Sequence, residues 1–438
     1  MKKKYFFSAL AAGMVLFSAC SQHDDVLNVA DLSSSAQQIV LQVPSTGDGL
    51  QTRAGRQLYS AEAKQDIQNV KVIVTDAQDV VKYATTVENW GTASTAYTTG
   101  GHGRETNILI DPKLEAGTYT IYAVGYSNNS DYDLSAITGV TASAPGTDDP
   151  TKFTANTVLS FKQDATNKVG EEIFAGSKSL TVTDGEGFKE SVVLNRQVAG
   201  TFGYFKEIPY IQGAAQLQLV ACQLNTQLVL GSFSNTDLAS NGNNAATYYV
   251  NGMTAATSNV VYTINLSDWY GTIADADNDG VIDATSWAKP SGYSDDVAFA
   301  EGSVFGGSFV IPFAKADNNE TFILNLTDAS GTVLRSWSVK LPSTDGQCSA
   351  HNLWSYNGGS WTAASVTDDV NHYSVVRNHL YGIGKKMFDK NPNPGDPDPD
   401  NPDPDVPEDD DPESLNNKQE LTLRVNDNWE VIHQMELE

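Results

Sequence analysis

The chain has 438 residues and a formal net charge of −27, with 54 acidic against 27 basic side chains. That balance excludes nucleic acid as a partner, because phosphate contacts draw on Lys and Arg, and it suits a self-repelling, soluble surface protein. The six histidines, at 23, 102, 351, 372, 379 and 433, have neither metal-ligand nor triad spacing, and GxSxG, P-loop and CxxC motifs are absent. No enzyme activity is expected.

In chain order, residues 1–19 read as a secretory signal: Lys2–Lys4, the apolar run Tyr5–Phe17, then small Ser18 and Ala19 before Cys20. FSAC has the form of a lipobox, so cleavage before Cys20 and acylation of its thiol are expected. Removing three Lys takes the formal charge to −30. No later run approaches the ~20 apolar residues of a spanning helix, which leaves lipid as the membrane anchor in view. Residues 20–56 form a propeptide. In it Ile39, Leu41 and Val43 alternate with Val40 and Gln42, the pattern of a strand. The polar, Gly-rich stretch STGDGLQTRAGRQ follows, with Arg53 and Arg56 in it. It reads either as an ordinary loop or as the substrate of a trypsin-like protease. Cleavage there releases the lipid and the first strand together and leaves an apolar groove open.

Residues 57–388 are low in charge and rich in Thr, Ser, Asn and Gly, with short strand-like runs at turn-signal spacing. Runs such as Val70–Thr75, Thr118–Tyr126, Gln216–Cys222, Thr321–Leu326, Leu334–Leu341 and His372–Tyr381 predict an all-β protein. Only Ser60–Gln68 reads as a helix. About 330 residues exceed one core, so two β-sandwich domains (transthyretin/Ig-like) are expected in tandem with few helices, at 57–190 and 191–388. With Cys20 lipidated, Cys222 and Cys348 remain. They form a disulfide, or Cys222 is a small core residue in its apolar run.

One motif carries metal chemistry. Asp275, Asp277 and Asp279 fall at positions 1, 3 and 5 of a loop, with Gly280 at 6, the Val281 carbonyl at 7 and Asp283 at 9. That is the ligand order of an EF-hand-like Ca²⁺ loop, with Ser286 at the position of the usual bidentate Glu. A structural Ca²⁺ is the one cofactor suggested; the alternative is a solvated acidic turn. Trp354, Tyr356 and Trp361 in WSYNGGSW serve as a loop anchor or as a sugar-stacking platform.

The spacer 389–420 opens with a tract of Asp and Pro that predicts an extended, PPII-like rod. At ~3.1 Å per residue, Pro392–Pro412 would reach roughly 65 Å. Residues 421–438 then alternate again, through Leu421, Leu423, Val425, Trp429 and Val431. This last strand either closes its own sheet or adds to another molecule. A removable strand at one end and a tethered strand at the other fit together.

Three segments carry a family resemblance: the lipobox with its strand and Arg site, Val192–Ile208 (VVLNRQVAGTFGYFKEI), and Val375–Gly384 (VVRNHLYGIG) with the closing strand beyond it. The chain resembles the type V fimbrillins, pilins of the Bacteroidales lineage, with Arg377, Asn378, His379, Tyr381 and Trp429 as anchoring residues. SQHDD after Cys20 resembles surface-export signals of lipoproteins in that lineage. Here the Asp-Pro spacer is longer and more acidic than the family's link. The resemblance implies a lipoprotein precursor that reaches the outer membrane, is cut after Arg53 or Arg56, loses Ile39–Val43, and joins other copies and other pilin subunits in a fimbrium. Leu421–Leu437 is then the donor strand or its support. Having both a removable strand and a donor favours a shaft subunit serving adhesion. The alternatives are an anchor or tip subunit of the same fold, and a surface lipoprotein that binds glycan.

Overall fold

The computed structural model describes residues 35–44, 67–97, 103–165, 168–231, 247–293, 298–315, 320–340, 351–356, 359–366, 374–386, 411–416 and 419–426. These residues are all-β. The first domain contributes β1 (Gln37–Pro44), β2 (Asn69–Asp76), β3 (Val81–Val87), β4 (Thr95–Tyr97), β5 (Gly103–Leu109), β6 (Gly117–Tyr126), β7 (Val158–Ser160), β8 (Phe174–Val182), β9 (Phe188–Val193) and β10 (Asn195–Arg196). Two four-residue helices, α1 (Trp90–Ala93) and α2 (Ser135–Thr138), sit in its connections. Strands β4-β5-β1-β9 make one sheet and β10-β8-β6-β2-β3 the other. Period-2 alternation explains the core between them. Val70, Val72 and Val74 of β2 turn one way and meet Ile39, Leu41 and Val43 of β1, with Trp90, Ile121, Phe174 and Val192 closing the cluster.

The second domain holds β11 (Ala199–Lys206), β12 (Ala214–Ala221), β13 (Asn225–Val229), β14 (Thr247–Val250), β15 (Gly252–Ala255), β16 (Val260–Asn265), β17 (Val304–Val310) and β18 (Phe322–Asp328). It continues with β19 (Val333–Lys340), β20 (His351–Tyr356), β21 (Trp361–Val366), β22 (Leu380–Ile383), β23 (Glu413–Ser414) and β24 (Glu420–Asn426). Its main sheet runs β16-β12-β18-β19-β24-β22-β11-β17, with β23 beside β11. The two ends of that order come together, because Ile264 of β16 fills the space where a side chain on Gly306 of β17 would begin. The sheet thus folds over its own core of Phe202, Leu217, Leu324 and Trp337.

The two domains are joined by more than a linker. Strand β7 of the first pairs with β13 of the second, in register Leu228↔Leu159. A third cluster unites Ile73, Tyr122 and Val124 with Leu228, Leu230 and Ile311. Such a shared core stabilises the joint at about 25 cal/mol per Å² of apolar area buried.

One expectation needs correction. His372–Tyr381 is not one strand: Ser374–His379 is irregular, with a Phe313↔Val375 bridge, and β22 begins only at Leu380. The break lies at Asn378, whose φ of 58° is left-handed, a conformation Asn tolerates and a strand does not. Beyond the Asp-Pro tract the chain returns to the second domain, and here β24 lies in its own chain's sheet, one of the two arrangements left open above. Lys385 and Asp411, on either side of it, exchange both backbone hydrogen bonds at 2.8 and 3.0 Å. Leu415 then buries completely and its carbonyl accepts the Trp337 indole N–H. The expected helix is outside the described residues from Ser60 to Asp66, and Ile67 and Gln68 lead directly into β2.

Candidate functional site, the first strand and its slot

Strand β1 lies between β5 and β9 and is hydrogen-bonded on both sides. It runs antiparallel to β5 (Ile39↔Ile108, Leu41↔Thr106) and parallel to β9 (Ile39↔Glu190, Leu41↔Val192). Ile39, Leu41 and Val43 are each 0% exposed. Burying three such side chains contributes roughly 5–9 kcal/mol, which matches the whole net stability of an ordinary domain. A first domain without β1 therefore holds an apolar groove that it cannot leave open.

The head of the strand is fixed by an amide. Gln37 is buried; its Nε2 donates to the Leu114 carbonyl at 3.0 Å, and its Oε1 accepts the Leu114 N–H at 2.7 Å. On the outer face Gln42 Nε2 donates to Glu105 Oε2 at 2.9 Å. Neither Gln37 nor Leu114 was anticipated from the sequence. The signal available was an amide two residues ahead of three alternating apolar positions. Arg53 and Arg56 lie outside the described residues, in the stretch that follows β1, and Cys20 lies outside them as well.

Of the terminal segment, Leu421, Leu423 and Val425 fall in β24, while Trp429 and Val431 lie outside the described residues. Strand β24 bridges the two halves of the second domain's sheet. Among the described residues, 420–422 pair in parallel with β19 and 423–426 pair antiparallel with β22. Leu421 is in the core.

Of the resemblance residues, Arg377 and Asn378 sit at the joint between domains, and His379 and Tyr381 follow them into the second domain. Arg377 Nη1 donates to Gln197 Oε1, and its guanidinium lies 4.2 Å from the Tyr249 ring centroid. The Asn378 N–H donates to the Val198 carbonyl, which accounts for Asn378 through its backbone. His379 is buried and its Nδ1 donates to the Arg377 carbonyl at 2.9 Å, a structural role. Tyr381 is buried, and its hydroxyl accepts the Val376 N–H and donates to the Ser374 carbonyl. Beside this joint Arg196 and Glu172 make a buried ion pair at 2.7 Å.

In the acidic loop, carboxylate oxygens of Asp275, Asp277 and Asp283 lie within 4.8 Å of one another. Asp279 is turned aside and accepts the Val281 N–H at 2.9 Å. Trp361 Nε1 donates to Asn156 Oδ1, and its ring packs edge-on against Tyr249 and Tyr356. These contacts make the Trp a tie between hairpin β20–β21 and the first domain. Cys222 is half-buried beside the second core, and Cys348 lies outside the described residues.

No family model matches the sequence, and no curated protein matches it. Among solved structures, the chain is similar to the fimbrial anchor protein Mfa2 from Porphyromonas gingivalis at 10% identity and a TM-score of 0.34, over 78% of this chain and 99% of that one. It is similar to the tip fimbrial protein Mfa3 from the same organism at 12% identity and a TM-score of 0.35, over 80% and 94%. A fimbrial assembly protein from Parabacteroides distasonis gives 12% identity and a TM-score of 0.33, over 81% and 92%.

Proposed function

We propose that this chain is a fimbrial shaft subunit, exported as a lipoprotein anchored through Cys20, cut after Arg53 or Arg56 at the cell surface, and polymerised by exchange of strands between copies. Its role is structural, serving adhesion. The observation that carries this reading is β1: a central strand, wholly buried on its inner face, that is followed in the chain by a polar stretch holding two arginines. One cut there leaves β1 held only by non-covalent contacts, so another strand can take its place. Trypsin digestion of the full chain followed by denaturant-resistant gel ladders and negative-stain microscopy tests it. Fibres that form only after the cut support the reading. A cleaved chain that stays monomeric, with β1 still bound, sinks it.

A further inference from the structure

We propose that the β1 slot reads an amide at the head of the incoming strand, and that Gln419 of a second copy supplies it, fixing Gln419–Asn426 in the register of Gln37–Pro44. The proposal rests on the strand-exchange reading above and adds to it a register and the residues that set it.

Three observations carry it. The first is pattern. Gln37, Ile39, Leu41 and Val43 are matched, position for position, by Gln419, Leu421, Leu423 and Val425. In β1 the amide holds both polar groups of the buried Leu114 main chain. An inserted strand without an amide there leaves a buried N–H and C=O unpaired, the costly case for a hydrogen bond.

The second is charge. In β1's register, the outward positions 38 and 42 lie opposite Lys189 of β9 and Glu105 of β5. Aligned on Gln37, the second segment brings Glu420 to Lys189 and Arg424 to Glu105, so both outward charges meet their opposites. Thr422 then stands in the place of Val40, opposite Asn107 and Ser191. A shift by one residue destroys all of this, since it turns the apolar set outward.

The third is pairing. Gln38–Gln42 are paired on both sides, so a segment inserted in their place gains one ladder with β5 and another with β9. Gln419 is exposed in its own chain, where its carbonyl accepts the Ser338 N–H.

That exposure makes the test clean. Gln419→Met in the full chain is expected to leave the unfolding midpoint of the uncleaved protein unchanged, yet to slow polymer growth after trypsin cleavage about tenfold or more, the equivalent of one buried unpaired polar group. Register is read separately by mixing a Thr422→Cys chain with an Asn107→Cys chain, cleaving and oxidising. A disulfide-linked heterodimer is expected, and a Leu109→Cys partner should not form it. If the cleaved wild type polymerises while Gln419→Met keeps pace and the 422–107 link fails, the register is overturned and strand exchange stands. If the cleaved wild type never polymerises, both fall.

Discussion

Arg377 and Gln197 meet across the joint between the two domains, with Arg377 Nη1 donating to Gln197 Oε1 at 3.1 Å. Gln197 is wholly buried and also donates to the Asn195 and Ala175 carbonyls, so one amide ties β8 and β10 to the loop before β22. The guanidinium adds a stacking contact with Tyr249. Arg377→Met removes the hydrogen bond and the stacking while keeping most of the volume, and is expected to cost about 2 kcal/mol. Because the contact spans the joint, chemical denaturation should change from one transition to two. A single transition at the wild-type midpoint would show that the shared apolar cluster alone couples the domains.

Leu41 sits at the centre of β1 with no exposed surface. Leu41→Ala removes buried methyl groups and leaves a cavity, which costs about 2–5 kcal/mol in well-packed sites. The uncleaved chain is therefore expected to melt several degrees lower. After cleavage the sign reverses for assembly, since a weaker resident strand leaves the slot sooner. Stopped-time gel ladders should show faster growth for Leu41→Ala than for wild type.

Much of this architecture was legible in the chain because period-2 alternation survives wherever one face of a strand is buried. Strands β12 and β18 show it, whereas β2 and β6 are buried on both faces and read instead as short apolar runs between turn signals; β1 and β24 stand out by their alternation beside polar stretches. What escaped was decided by single residues or by tertiary context. Asn378 breaks an apparently continuous strand by adopting a left-handed φ. Short β7 and β10 carry too few residues to show a period, although β7 holds the domains together. The return of the chain at Asp411 depends on Leu415 finding the second core and on Trp337 bonding its carbonyl. A charge-rich tract gives no hint of that. The clamp of Gln37 on Leu114 joins positions 77 apart in the chain, and local pattern does not reach so far.

Asp76 ends β2 and caps the turn into β3. Its Oδ1 accepts the Gln78 and Val80 N–H groups at 2.9 and 3.0 Å, and its Oδ2 meets Lys82 Nζ at 3.0 Å. Burial alone would raise its pKa, but the Lys82 hydrogen bond and the two backbone donors outweigh burial and hold the carboxyl below the usual range. A folded pKa below the unfolded one contributes stability above the unfolded value, and that stability is lost as pH falls through the folded one. The gap in melting temperature between wild type and Asp76→Asn is thus expected to be widest near neutrality and to close in acid. For a partly solvated pair the gap corresponds to at most about 1 kcal/mol. A gap that persists unchanged into acid would assign Asp76 a purely steric role in the turn.

The acidic loop gives the last prediction. Ca²⁺–oxygen distances are about 2.3–2.6 Å, so ligand oxygens on one ion lie at most about 5 Å apart, and the Asp275, Asp277 and Asp283 oxygens meet that limit at 4.8 Å. The turn that gathers them is held by left-handed Asn278 and Gly280, and by backbone N–H groups bonded to Asp275 and Asp283. Two features would hold any Ca²⁺ affinity low. Asp279 faces its own backbone, and Ser286, where a bidentate Glu would stand, exchanges hydrogen bonds with Thr272 instead. Calorimetric titration of the full chain is expected to show Ca²⁺ uptake in the 10⁻⁴–10⁻³ M range of roughly built extracellular sites. Asp277→Ala should abolish it, since that carboxylate has one long backbone contact, at 3.3 Å, and the turn holds without it. If wild type releases no heat and its melting temperature ignores both Ca²⁺ and chelator, the loop is a solvated turn that its own N–H groups hold together.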